Sequence, residues 1–150
     1  MKPFELDSVL RYRKQLENTA ATKLANAQRI FQHAEKKYED ASAEYSRIET
    51  KLMESQEIGI DVDDLIRYQD RLTWLQTNVE VLFKELQITR ENVDKEREAV
   101  IHRSREKKVL EQLKEKQNKA YRLYIDKKES AQLDEIAVLS YGKKKNDNEQ

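Results

Sequence analysis

One interior glycine, Gly59, interrupts a chain that is otherwise almost free of residues that stop helices. The 150 residues include only 2 Gly and 1 Pro. A Gly just past a helix end, followed by Asp, is typical of one helix stopping and another starting. Asp61 and Asp63 are alternative caps for the second helix, and Asp64 has the capping-box spacing from Asp61. The sequence therefore predicts two long helices joined at Gly59.

The composition supports narrow helical packing rather than a thick core. Charged residues make up 39% of the chain, against about 25% in a compact domain, and hydrophobic residues make up 37%, against about 45–50%. Scarce Gly and Pro favour helix over disorder. The 29 basic and 29 acidic residues leave no net charge, and hence no global field for nucleic acid or an acidic membrane. The absence of Cys, of a long apolar run and of a signal peptide predicts a soluble intracellular protein.

Apolar residues in the first helix recur with alternating steps of three and four. This 3.5-residue repeat is the seam of a left-handed coiled coil. Upstream, Leu6, Val9, Leu16 and Ala20 follow the same rule, but the step from Ala20 to Leu24 is four where three is due, which predicts a stutter. The main seam comprises Leu24, Ala27, Phe31, Ala34, Tyr38, Ala41, Tyr45, Ile48 and Leu52.

The second helix carries a matching seam that becomes polar in its middle. Glu96, Arg103 and Lys107 occupy seam positions there, with Val100 and Leu110 among them. The apolar part of this seam comprises Leu72, Leu75, Val79, Leu82, Leu86, Thr89 and Val93, and Tyr121, Tyr124 and Ala131 partly recover it later.

A short break between two such helices predicts an all-α fold, a long antiparallel two-helix coiled-coil hairpin. We expect one coiled-coil domain over residues 1–141, with helix 1 at about 4–57, a hinge or tip at about 58–77, helix 2 ending near 141, and a flexible polar tail over 142–150. At 1.5 Å per residue the helices would span about 80 and 118 Å. Either helix 2 extends beyond the end of helix 1, or a separate short helix forms a small cluster at the tip. We favour the second alternative.

Residues that could carry chemistry are few. Asp61, Asp63 and Asp64 resemble the start of a calcium loop, but the required Gly and Glu are missing, so capping is the better interpretation. His33 and His102 have no second ligand at metal spacing. Phosphate-binding and nucleophile motifs are also missing. We expect no catalytic residue, no cofactor and no metal, and therefore no enzyme.

Two surface features can be interpreted either as ordinary structural features or as binding surfaces. Ten Lys or Arg against four acids between residues 103 and 128 indicate either a solvated face or a basic strip for an acidic protein surface. Trp74, Val81 and Ile88 repeat every seven residues off the main seam. They indicate either packing within the chain or a docking patch.

Four short motifs, spread over the chain in order, carry a family resemblance. They are F-x-L-x-x-V-L-x-Y-R at 4–13, GIDVDDLIRYQDRL at 59–72, REKK at 105–108 and LDEIA at 133–137. Together they resemble the FliJ family of flagellar type III export proteins. The resemblance implies a coiled coil similar to the central stalk of rotary ATPases, acting in the cytoplasm and associating peripherally with the inner membrane at the flagellar base.

The resemblance also implies three partners. The paired termini would enter and stimulate the hexameric export ATPase, the hairpin's other end would reach the cytoplasmic domain of the export gate, and substrate-specific chaperones would be escorted. Arg71 and Asn78 depart from the family's apolar gate-facing pattern. The implied gate-facing residues are Ala41, Tyr45, Ile48, Leu75 and Leu82; the implied ATPase-facing residues are Leu6, Val9, Arg13, Arg105, Lys107, Lys108, Leu133 and Ile136.

Two other functions compete with this interpretation. A generic coiled-coil adaptor would pair its seam between chains and form a homodimer, whereas a hairpin closes the seam on itself and should be a monomer on its own. A nucleic-acid-binding helical protein is disfavoured, because acids interleave with the basic residues and stacking aromatics are few. We expect neither nucleic-acid binding nor membrane insertion.

Overall fold

The computed structural model describes residues 4–149, and two helices account for nearly all of them. Helix α1 runs from Asp7 to Ile58 and helix α2 from Val62 to Glu149, with no strand in the described part of the chain. The two helices pack against each other, which confirms the predicted all-α helical hairpin. Gln150, the last residue of the predicted tail, lies outside the described residues.

The turn between the helices is built around Gly59, as predicted. Its φ of +105° is a backbone conformation that residues with a Cβ rarely adopt. Its N–H donates to the Ser55 carbonyl at 3.0 Å, so one carbonyl of the last turn of α1 is satisfied. Asp61 immediately precedes α2, and its carbonyl accepts the first helical bond, from the Leu65 N–H at 2.9 Å. Of the two predicted caps, Asp61 therefore holds the capping position.

Helix α2 is unbroken, so the prediction of a separate short helix at a tip over residues 58–77 is wrong. Buried or half-buried positions begin at Leu65 and keep the spacing of three and four through Leu75 and beyond. No Gly or Pro lies between Leu65 and Leu75, and the spacing of the buried face is continuous there, so nothing in this stretch breaks the helix. The excess length of α2 over α1, 88 residues against 52, therefore comes from the C-terminal part of α2.

The predicted seams are confirmed over most of both helices, including the polar stretch, but the predicted recovery of the α2 seam extends only to Tyr121, because Tyr124 and Ala131 are exposed. Glu96, Arg103 and Lys107 are all half-buried. Long side chains can hold such positions because their aliphatic stems pack while their charged ends reach water. The buried residues are Leu10, Ala20, Ala27, Ala34, Ala41, Ile48, Leu75, Leu86 and Val93.

The start of the α1 seam differs from the prediction. Leu10 is buried, with 3% exposure, whereas Leu6 and Val9 are exposed. Arg13 and Glu17 are half-buried, so the steps of three and four run through them to Ala20 and Leu24. The predicted stutter is wrong, because counting apolar residues alone misses a seam that passes through charged side chains.

The C-terminus of α2 also differs from the prediction. The helix continues through Gly142 to Glu149, where the sequence predicted an end near Tyr141 and a flexible tail. Among the described glycines only Gly59 has a positive φ, so Gly142 retains an ordinary helical conformation. A Gly within a helix costs about 1 kcal/mol relative to Ala, and it stops a helix only where the chain also has to turn.

The chain divides into two compact units, which we call the hinge unit (residues 16–103) and the terminal unit (1–15 with 104–150). Both helices contribute to both units, and the single domain expected from the sequence stays a prediction. In the hinge unit, partners on α2 fall in number as those on α1 rise, which makes the pairing antiparallel. These pairs are Phe31 with Arg90, Tyr38 with Phe83, and Glu44 with Arg71.

The terminal unit is also antiparallel, but ion pairs join its two segments. Lys114 Nζ lies 3.1 Å from Asp7 Oδ1, and Arg13 donates to Glu106. From residue 126 to 149 every side chain is exposed. This last part of α2, which we call the exposed segment, packs no buried face within the unit.

Candidate partner-binding surfaces

The basic strip of the terminal unit is only partly available to a partner. Arg105 and Lys108 are exposed, whereas Lys107 is half-buried in the seam, 4.0 Å from Glu111. The guanidinium of Arg13 donates a hydrogen bond to Glu106 within the same unit. Of the basic residues predicted to face the ATPase, Arg105 and Lys108 are therefore the exposed ones.

The apolar residues predicted to face the ATPase fall into two separate groups. Leu6 and Val9 are exposed in the first turns of the chain, beside the buried Leu10. Leu133 and Ile136 are exposed in the exposed segment, with 66% and 58% of their surfaces accessible. The helical rise places Leu133 about 38 Å beyond Lys108 along α2. The structure therefore brings the basic residues together and leaves Leu133 and Ile136 on a second surface.

The residues predicted to face the export gate are brought together, but inside the seam of the hinge unit. Ala41, Ile48 and Leu75 are buried, while Tyr45 and Leu82 are half-buried. Tyr45 also lines an open groove of about 300 Å³ together with Ser42, Ser46, Gln76 and Val79. Packing explains why these positions are apolar, and their role toward a partner stays a prediction.

Exposed aliphatic side chains at the Gly59 turn were not predicted as a site. Ile58 is 89% exposed, and Val62, Ile66 and Met53 are also exposed. Next to the turn lies an open cavity of about 580 Å³, lined by Ile48, Ser55, Ile58, Gly59, Ile60, Asp61, Asp64, Arg67, Tyr68 and Arg71. The signal in the sequence was a run of aliphatic residues off the seam, in a stretch interpreted as a turn and as one of the family motifs.

Charges beside this turn are partly paired. Glu44 accepts two hydrogen bonds from Arg47, at 2.7 and 3.0 Å. These bonds, together with the positive charges of Arg47, Arg71 and Lys51, outweigh desolvation and lower the pKa of Glu44. Arg71 lies 3.9 Å from Glu44, so it contributes charge without a hydrogen bond of normal length.

The stripe of Trp74, Val81 and Ile88 is open to solvent. Trp74 is 57% exposed, and the other two are exposed to a similar degree. The guanidinium carbon of Arg71 lies 5.1 Å from the centre of the Trp74 ring, within the range of a cation–π contact. Packing within the chain is therefore the wrong interpretation of these residues, and the docking patch stays a prediction.

No group of three or more His, Cys, Asp or Glu side chains is placed to hold a metal ion within residues 4–149. In the same part of the chain, no helix combines the length and apolar character needed to cross a bilayer.

Comparison with known proteins decides the family. The family model described as "Flagellar FliJ protein" matches residues 1–146 of the 150. The chain belongs to the FliJ family. Membership makes it a component of the flagellar protein export apparatus, and FliJ-family proteins are non-enzymatic components of that apparatus. Neither the curated proteins nor the solved structures that were searched gave a match.

The FliJ match covers both units described above. It spans Leu6 to Ile136 and thus all the residues predicted to face the ATPase or the export gate. The four motifs that suggested the family lie at the start of α1, at the turn and the start of α2, in the basic strip, and in the exposed segment.

Proposed function

We propose that this FliJ-family chain works as a central-stalk-like component of flagellar protein export. In this proposal it binds and stimulates the hexameric export ATPase, contacts the cytoplasmic domain of the export gate, and escorts substrate-specific chaperones. It acts in the cytoplasm and associates peripherally with the inner membrane at the flagellar base. The family match over residues 1–146 is the observation that carries the proposal.

The terminal unit supplies the ATPase-binding surface in this proposal. Arg105 and Lys108 present positive charge to solvent, and Leu133 and Ile136 present apolar surface. Charge complementarity governs register and association rate more than net affinity. We therefore assign the basic residues to steering and alignment, and the apolar residues of the exposed segment to the stable contact.

The hinge unit supplies the gate-binding surface. The predicted residues Ala41, Ile48 and Leu75 are buried, so they support such a surface from beneath. Tyr45 and Leu82 remain half-open to solvent, and the groove beside Tyr45 adds a concave contact. Chaperones would bind surfaces left open by these two contacts.

ATP hydrolysis by the matching export ATPase tests the proposal, measured with and without this chain. We expect stimulation by the natural chain and a loss of at least about fivefold in that stimulation for R105E/K108E, since both reversals place acid where complementary charge is needed. Lys107 is left unchanged because it is half-buried beside Glu111. Helicity by circular dichroism should stay the same.

A matched control separates the basic strip from net charge. K23E/R29E makes the same change in charge at two exposed positions of the hinge unit and should stimulate hydrolysis as the natural chain does. Equal stimulation by R105E/K108E would show that the strip is only a solvated face. A failure of the natural chain to stimulate, together with a stable dimer mass by light scattering, would replace the proposal with the dimeric adaptor.

Removing the exposed segment tests the apolar contact. A chain ending at residue 125 keeps both seams, because every residue from 126 to 149 is exposed. We expect its unfolding midpoint to match that of the full chain while ATPase stimulation is lost. Full stimulation by the shortened chain would exclude the exposed segment from ATPase binding.

A further inference from the structure

The end of the hairpin at Gly59 exposes more aliphatic surface than its fold requires. Ile58 is nine-tenths exposed, and Met53, Val62 and Ile66 are exposed around the same turn. None of these four residues is needed to close the turn, which depends on the Gly59 backbone and its bond to Ser55. A group of exposed aliphatic residues around one turn is the kind of surface that marks an interaction site.

A cavity of about 580 Å³ lies at the turn, and of these four residues Ile58 lines it. Ile48, Ile58 and Ile60 give it apolar walls, Asp61 and Asp64 contribute carboxylates, and Arg67 and Arg71 contribute guanidinium groups. Its volume lies within the range of pockets that bind small molecules, about 300–1,000 Å³, so it has room for a bulky side chain. The cavity therefore provides an anchor point that a flat helix surface would lack.

The charges around the turn select the occupant. Residues 52–66 contain five acidic residues and no Lys or Arg, and all five are exposed. The two arginines that line the cavity face acids of the same unit, since Arg67 lies 3.9 Å from Asp64 and Arg71 lies 3.9 Å from Glu44. With the flanking Lys51 and Arg67 included, residues 51–67 still carry a net charge of −3. The acidic residues are Glu54, Glu57, Asp61, Asp63 and Asp64.

This combination disfavours two of the three possible occupants. A second copy would bring an equally negative turn, and like charges placed together oppose association. The cytoplasmic leaflet of a membrane is anionic and attracts basic rather than acidic segments. A cationic segment with apolar residues on one side satisfies both the aliphatic surface and the negative charge.

We propose that the surface around Gly59 binds a cationic amphipathic helical segment of a partner protein. An apolar side chain of that segment enters the cavity beside Ile58 and Ile60, and its Lys or Arg residues lie against the carboxylates at 61, 63 and 64. This recognition is a helix laid on an apolar groove with a charged rim. The inference rests on the hinge unit alone, so it holds or fails independently of ATPase stimulation.

The probe is a fluorescein-labelled 14-residue peptide of Leu and Lys with amphipathic helical spacing, titrated with the full chain by fluorescence anisotropy. We expect saturable binding at physiological salt. A peptide of the same pattern made from Leu and Glu should not bind. The chain should also not bind vesicles of anionic phosphatidylglycerol. Cosedimentation of the chain with these vesicles would overturn the proposal in favour of a membrane.

Two variants of the turn test the two halves of the surface. D61N/D63N/D64N removes charge, and Asn at 61 keeps helix α2 capped because Asn is as good an N-cap as Asp. I58S/V62S removes aliphatic surface from two exposed positions. Each should weaken binding of the Leu–Lys peptide by about tenfold or more, the size expected when one half of a two-part contact is lost.

Matched variants elsewhere control for bulk charge and bulk apolarity. D126N/E129Q/D134N removes three exposed acids of the exposed segment, and V109S/L113S removes two exposed apolar residues of α2. Both should bind the peptide within about twofold of the natural chain. If the charge control weakens binding as much as the turn variant, or if I58S/V62S binds normally, the peptide is held only by diffuse charge and the proposal fails.

Discussion

Truncating Leu75 gives the sharpest test of the seam, because this residue has the lowest exposure of the buried set, at 2%. Leu75→Ala removes three buried carbons, and each buried CH₂ contributes about 0.8 kcal/mol, so the transfer loss alone is about 2.4 kcal/mol. The cavity left behind adds to this loss. We therefore expect the free energy of unfolding to fall by about 2.5–4 kcal/mol.

Urea unfolding followed by far-UV circular dichroism measures the effect, and the slope against urea should not change. The matched control is Leu133→Ala, which makes the same truncation in the exposed segment at a residue that is 66% exposed. It should change the free energy of unfolding by less than about 0.5 kcal/mol. A Leu75→Ala variant as stable as the control would refute the seam described here.

The two glycines and Glu44 give further predictions. Gly59→Ala places a residue with a Cβ at a φ of +105° and should lower the free energy of unfolding by about 1–2 kcal/mol in urea unfolding. Gly142→Ala should raise helicity by circular dichroism. The same change in stability and helicity for both substitutions would contradict the difference between the two backbones. Because the Glu44 pKa is lowered, its stabilising contribution is complete above the unfolded pKa and disappears as pH falls through the folded pKa. An NMR titration should find that Arg47→Gln raises this pKa more than Lys51→Gln does, since the Arg47 hydrogen bonds are the largest cause; the reverse order would contradict that assignment.

The fold could be predicted from the sequence because its two determinants are local. The three-and-four spacing identifies the buried face of each helix without any knowledge of the partner helix. Gly59 identifies the turn because only one interior position combines a positive-φ residue with a following cap. Burial of Leu75, Leu86 and Val93 then follows from the pairing of two such seams.

The errors came from residues whose role depends on tertiary surroundings. Arg13 holds a seam position because Glu106 lies opposite, and no local pattern reveals that partner. Gly142 is compatible with a helix or a stop, and the absence of any turn there decides for the helix. Trp74 suggested a packed tip because large aromatic residues usually bury their rings, but no third element is present in the described chain to cover it.

The candidate sites were predictable only as residue types. The family motifs identified the basic strip and LDEIA, but the partition of the strip between the exposed Arg105 and the half-buried Lys107 required the register of the two helices. The predicted gate-facing residues were chosen for their apolar character. The same character places Ala41 and Leu75 in the seam, so apolarity alone could not separate a packing residue from a contact residue.

The exposed segment has a consequence for affinity that does not involve its contact residues. A helix without a packed face is held mainly by its intrinsic propensity, so the fraction of chains helical over residues 126–149 depends on residues such as Gly142. A partner that recognises only the helical form binds with an apparent dissociation constant equal to the intrinsic one divided by that fraction. Substitutions on the side of this helix that faces away from the partner would then change the apparent dissociation constant. Gly142 lowers the helical fraction, and so weakens apparent binding, without having to contact the partner.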